Sequence, residues 1–198
     1  MDEAGAELQG GLIMPNRYFT EAEREHYNEI RPLMKTGDLL QWKTNSVLGS
    51  LIRLRTKSDV NHSSLIIRLA EYEGLERRVF NAEAMEGAGV APNLLSRRLG
   101  EYDGKVYLYR LKPEFDDARQ KIGEMAFYYF GIEYDYHSLL AQAISKVSVD
   151  AKAFFCSEYC YFCYGMAGIL PIGWEKRKAP NPGEMPELEL FMDKIEVS

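Results

Sequence analysis

The stretch Asn61-His62-Ser63-Ser64-Leu65-Ile66-Ile67-Arg68-Leu69, followed after the polar loop Glu71 to Glu76 by Arg78-Val79-Phe80-Asn81-Ala82-Glu83-Ala84, decides the fold. Both halves are rich in strand formers, and a short polar connection returns the second antiparallel to the first. Working outward, Thr36-Gly37-Asp38 reads as a turn feeding a strand from Leu39 to Trp42, and Lys105-Val106-Tyr107-Leu108-Tyr109-Arg110-Leu111 alternates as a further strand. Helical signals flank these strands. Thr20 with Glu23 makes a capping box for a helix ending near Met34, and Ser46 caps a short helix through Arg55. Gly87 and Gly89 close the Arg78–Ala84 strand, and Pro92-Asn93-Leu94-Leu95 opens a short helix. Beyond Pro113 the period becomes helical, with helices over Glu114–Phe130, Ser138–Val147 and Cys156–Met166. Ala179-Pro180-Asn181-Pro182-Gly183 reads as a final loop. The expected class is α+β, a small antiparallel sheet packed against helices.

With 198 residues, 46% apolar and 27% charged, the chain has the composition of a compact globular protein. Residues 1–35 read as an N-terminal arm and helix, and 36–198 as one folded domain. A net charge of -6 argues against general nucleic-acid binding, which needs a positive surface. No apolar run reaches the length of a membrane span, and Met1-Asp2-Glu3 lacks the basic start of a signal peptide, so a cytoplasmic location is expected. Three cysteines crowded into one segment make no disulfide framework, in keeping with a reducing compartment.

Two sites carry reactive chemistry. His62 stands at the mouth of an apolar strand, and Cys156 follows Phe154-Phe155 where a helix is expected to begin. A nearby imidazole and free backbone N–H groups at a helix N-terminus both favour a thiolate, the nucleophilic form of cysteine. The plainer readings are a cysteine packed in the core and a histidine satisfied by a carbonyl. Cys156, Cys160 and Cys163 also spell Cys-x-x-x-Cys-x-x-Cys, the spacing of an iron–sulfur cluster motif. On a helix these residues spread over two turns instead of converging, which makes Cys160 and Cys163 packing residues. Asp38 reads as a turn residue that fixes the first strand. Arg53-Leu54-Arg55-Thr56-Lys57 reads as a solvated basic face.

Five short motifs in order resemble the YiiX-type cysteine hydrolases of the permuted, NlpC-like branch of the papain-like superfamily. They are Thr36-Gly37-Asp38-Leu39-Leu40, Asn61 to Ile66, Asn81-Ala82-Glu83-Ala84 with Gly89-Val90, Phe130 to Asp135, and Phe155-Cys156-Ser157-Glu158. Asn181-Pro182-Gly183-Glu184 resembles the closing loop of that family, so the likeness spans roughly residues 36 to 185. It implies a circularly permuted papain-like fold in which the histidine precedes the cysteine. It further implies Cys156 as nucleophile, His62 as general base and Glu83 as the group that orients the imidazole, with Asn81 as a substitute and Glu86 as a weaker one. Strand alternation agrees, since Asn81, Glu83 and Met85 share one face. Tyr134, Tyr136 and Trp42 are expected to line the substrate cleft, and Gln41 or Trp42 to supply a second oxyanion donor. The Cys156 backbone N–H is the first. The expected substrate is a peptide, an amide or a lipid-like acyl group, with no metal or cofactor required. The alternatives are a non-catalytic binding module on the same fold and an iron–sulfur protein using Cys156, Cys160 and Cys163.

Overall fold

The structure, a computed structural model, describes residues 19–45, 58–85, 89–131 and 151–198, the side chains of 151–155 excepted. Six strands form one antiparallel sheet in the order β4-β3-β2-β1-β5-β6: β1 Leu39–Thr44, β2 His62–Ile67, β3 Phe80–Met85, β4 Gly89–Leu94, β5 Gly104–Leu111 and β6 Phe191–Glu196. The four α-helices among the described residues are α1 Glu21–Ile30, α2 Leu95–Gly100, α3 Arg119–Tyr128 and α4 Ala151–Met166. This is the expected α+β architecture, an antiparallel sheet between helices. None of these helices is long and apolar enough to cross a membrane.

Strand alternation divides the core into two layers. Leu39, Leu65, Ala82 and Ala84 face α3 and α4, while Leu40, Trp42, Ile66 and Leu108 face α1 and α2. The register places Leu65 opposite Ala82 and Ile66 opposite Asn81, so each face of β2 continues across β3. The capping box on α1 forms as expected, with the Glu23 N–H donating to Thr20 Oγ1 at 3.2 Å and the Thr20 N–H to Glu23 Oε2 at 2.9 Å. Pro32 then turns the chain into a single 3₁₀ turn, Arg31–Leu33, and α1 stops at Ile30.

Two expectations are corrected, and one strand is new. Residues 89–94 form strand β4, paired along β3 from Phe80↔Leu94 to Met85↔Gly89, and the helix starts only at Leu95. Pro92 is tolerated there because β4 is an edge strand. The chain also ends in β6, unforeseen because its burial is weak: only Phe191 is buried in that strand. The third helical segment begins at Ala151, five residues before Cys156. The arm before residue 16, the Ser46–Arg55 helix, the 53–57 basic run, Glu86, Tyr134, Tyr136, His137 and the Ser138–Val147 helix lie outside the described residues.

Asp38 is a structural hub, as its turn setting suggested. Fully buried, its carboxylate accepts from the Lys35 N–H at 2.8 Å, the Leu111 N–H at 3.0 Å and Arg119 Nη1 at 2.8 Å. Arg119 also donates to the Thr36 and Leu111 carbonyls, so one ion pair ties β1, the end of β5 and α3. Removing one member of a buried pair leaves a charge unmet and costs about 3–5 kcal/mol. Asp38→Ala is expected to lose stability of that order in urea unfolding, and a loss no larger than that of an exposed substitution would refute the hub.

Candidate active site

Glu83 lies in the middle of β3 with its side chain fully buried. A charge there must be matched, and three donors do so. His62 Nε2 meets Glu83 Oε2 at 2.7 Å, while Asn93 Nδ2 at 2.9 Å and Arg98 Nε at 2.8 Å donate to Oε1. Each comes from a different element. The hairpin of β3 and β4 delivers Asn93, α2 delivers Arg98, and the first residue of β2 delivers His62. Arg98 is itself held over two rings, 5.0 Å from the Trp42 centroid and 5.3 Å from that of Tyr102.

With Nε2 given to Glu83, the imidazole has Nδ1 left, and its remaining hydrogen bond is to the Cys156 side chain. Burial opposes a charged imidazole, but the negative charge of a Cys156 thiolate, the hydrogen bond to that sulfur and the Glu83 carboxylate outweigh it. The His62 pKa is raised from 6.5 to about 10. Burial likewise opposes the Glu83 carboxylate, and His62 and Arg98 overcome it, lowering Glu83 from 4.5 to about 2. The arrangement holds the imidazole between the Glu83 carboxylate and the Cys156 sulfur. Cys156 is 3% exposed and the His62 side chain 18%, so the ring is the more open member of the pair.

The structure thus brings Cys156, His62 and Glu83 together. Asn81 does not take part: both atoms of its amide are buried without a partner among the described residues. Trp42 is corrected from a cleft residue to a core residue, since it is fully buried and donates its Nε1–H to Ser64 Oγ at 2.8 Å. Gln41 accepts from Ser63 Oγ at 3.2 Å, and its buried Nε2 has no partner among the described residues. The expected oxyanion role of the Cys156 N–H is also corrected. Cys156 stands in the second turn of α4, where a helical N–H is directed at the carbonyl four residues back. Cys160 and Cys163 are fully buried in the α4 layer, and burial pushes both thiols up. Asn93 and Arg98 were not foreseen, although reading 89–94 as a strand paired with β3 would have brought Asn93 to the Glu83 face.

A group with a raised pKa contributes stability that is complete below its ordinary value and disappears as pH climbs through the raised one. For His62 that loss runs from 6.5 toward about 10. The depressed Glu83 contributes fully above 4.5, and its share vanishes as pH falls toward about 2. The stability margin of the wild type over Glu83→Gln, measured by urea unfolding, is expected to peak between those ordinary values, 4.5 and 6.5, and to shrink on both sides. A margin independent of pH would contradict the pairing.

No family profile matches the chain, and no curated protein does. Among solved structures the fold is similar to that of the metalloprotein YiiX from Escherichia coli O157:H7, with a TM-score of 0.52 and 22% identity over 71% of this chain and 69% of that one. The metal belongs to the name of that protein. Among the described residues here, no group of three or more His, Cys, Asp or Glu side chains, the three cysteines included, is arranged to hold a metal ion. What the comparison establishes for this chain is a YiiX-like fold.

Proposed function

We propose that the protein is a cysteine-dependent hydrolase or acyltransferase that works through Cys156, His62 and Glu83 on a permuted papain-like fold. The observation that supports this reading is the single imidazole hydrogen-bonded on one side to a buried carboxylate and on the other to a cysteine. Nothing in sheet packing calls for that chain of contacts, whereas nucleophilic catalysis needs a base that is itself oriented by a third group.

In this reading the Cys156 sulfur attacks the carbonyl carbon of a peptide, an amide or a lipid-like acyl group, forming a C–S bond as the carbonyl electrons move to oxygen. The tetrahedral species collapses, the bond to the leaving group breaks, and His62 passes its proton to that group. The acyl-enzyme is then released by water or by another acceptor, whose proton returns to His62 while the thiolate departs. Glu83 acts by fixing the ring, with Nε2–H directed to the carboxylate and Nδ1 left for the sulfur. It takes no proton, because Arg98 and the imidazolium hold its carboxyl well below the usual range.

A broad thiol-directed acylating probe is expected to label the wild type and not Cys156→Ser. His62→Ala should slow labelling by about 10²- to 10⁴-fold, the usual worth of a positioned base. Glu83→Gln should slow it less, since a neutral amide still accepts one hydrogen bond. Labelling of Cys156 at the rate of an ordinary thiol, unaffected by His62→Ala, would instead identify a non-catalytic binding module on the same fold.

A further inference from the structure

On the face of the sheet away from α4, helices α1 and α2 and the turn before β3 enclose a cleft of about 620 Å³. Five arginines line it: Arg24 and Arg31 from α1 and its end, Arg77 and Arg78 from the turn, and Arg97 from α2. The only carboxylate among its lining residues is Glu101, and Arg97 Nε already occupies it at 2.9 Å. Arg24, Arg31, Arg77 and Arg78 have no carboxylate within ion-pair distance among the described residues.

The walls are braced independently of these guanidinium groups. Arg68 donates to the Arg31 carbonyl at 3.3 Å and to the Glu76 carbonyl at 2.5 Å, joining the end of α1 to the turn that carries Arg77 and Arg78. The Leu95 N–H donates to the Val79 carbonyl at 2.9 Å, joining α2 to the same turn. Apolar surface completes the lining. Phe19 and Tyr27 stack at 5.7 Å with their planes 26° apart, and Val79 and Leu94 lie beside them. The lining basic residues are all arginine, whose planar fork takes phosphate oxygens two at a time, and the volume is that of a small-molecule site.

We propose that this cleft binds a soluble phosphorylated ligand, its phosphate or diphosphate among Arg24, Arg31, Arg77 and Arg78 and an attached ring against the half-buried Phe19, which Tyr27 backs. A flat lipid surface offers the same phosphate chemistry but does not enter a concave site. The proposal does not rest on the thiol chemistry, because it is read by binding alone.

Isothermal titration calorimetry of the full chain with inorganic pyrophosphate and with ADP tests it. Both are expected to bind saturably and more weakly as salt rises, with ADP the tighter. Arg24 and Arg78 are exposed and make no side-chain hydrogen bond or ion pair among the described residues, and circular dichroism of the variants checks that they fold. Replacing both by alanine should weaken each ligand about tenfold or more, the loss expected for charge-assisted contacts. Lys121→Ala, on the exposed side of α3, should change nothing. No saturable binding of either probe, or unchanged binding in the double variant, overturns the proposal, and equal affinity for the two probes overturns its ring half. Sedimentation with phosphatidylglycerol vesicles but not phosphatidylcholine vesicles, without binding of the soluble probes, assigns the arginines to a membrane surface and overturns it as well.

Discussion

A carboxylate with no solvent contact, placed in the centre of a strand, is the constraint on which the site depends. Glu83 remains charged there only because an imidazole, an amide and a guanidinium converge on it from three directions. That requirement fixes more than one ring. It sets the β3–β4 pairing that carries Asn93 to Oε1, and the angle at which α2 leaves β4 so that Arg98 reaches the same oxygen. Arg98 in turn covers Trp42 and Tyr102, so the electrostatic centre and the α1–α2 apolar layer are built as one unit. Asp38 and Arg119 play the corresponding part on the other side, where they join the sheet to α3.

Much of the sheet is legible from residue order because its strands obey a period of two. Leu65-Ile66-Ile67 and Phe80–Ala84 mark their own faces, and that alternation alone put Glu83 on the face that Arg98 covers. The candidate residues His62, Glu83 and Cys156, which the fold brings together, are picked out by the same reading together with a resemblance in motif order. What stayed hidden depends on contacts across elements. Pro92 reads locally as a helix start, and only the pairing of β4 with β3 shows why it sits in a strand. Phe191–Glu196 lacks an apolar rhythm because an edge strand with four exposed residues has little to bury. Trp42 resembles a cleft wall until its indole N–H is seen to be taken by Ser64. The arginine cleft draws on residues from Phe19 to Glu101, separated by four strands, so no local window contains it.

Helix α2 lies between the Glu83 centre and the basic cleft. Its consecutive residues Arg97 and Arg98 point to different tasks, the first to Glu101 beside the basic cleft and the second to Glu83 beneath the imidazole. The basic cleft and the Glu83 centre are thus separated along the chain by a single peptide unit.

The placement of Pro92 also bears on how the protein behaves in a crowded solution. The edge strand of a sheet is a template for a stray strand, and β4 is such a strand among the described residues, with its Val90 carbonyl already taken by the Gly131 N–H at 3.3 Å. A proline there has no N–H to offer an incoming chain, which interrupts the ladder at its midpoint. The opposite margin, β6, carries Asp193, Lys194 and Glu196, whose charges would be stranded by an apolar newcomer. Both rims of the sheet are thereby guarded against self-association, one by a missing donor and the other by hydration.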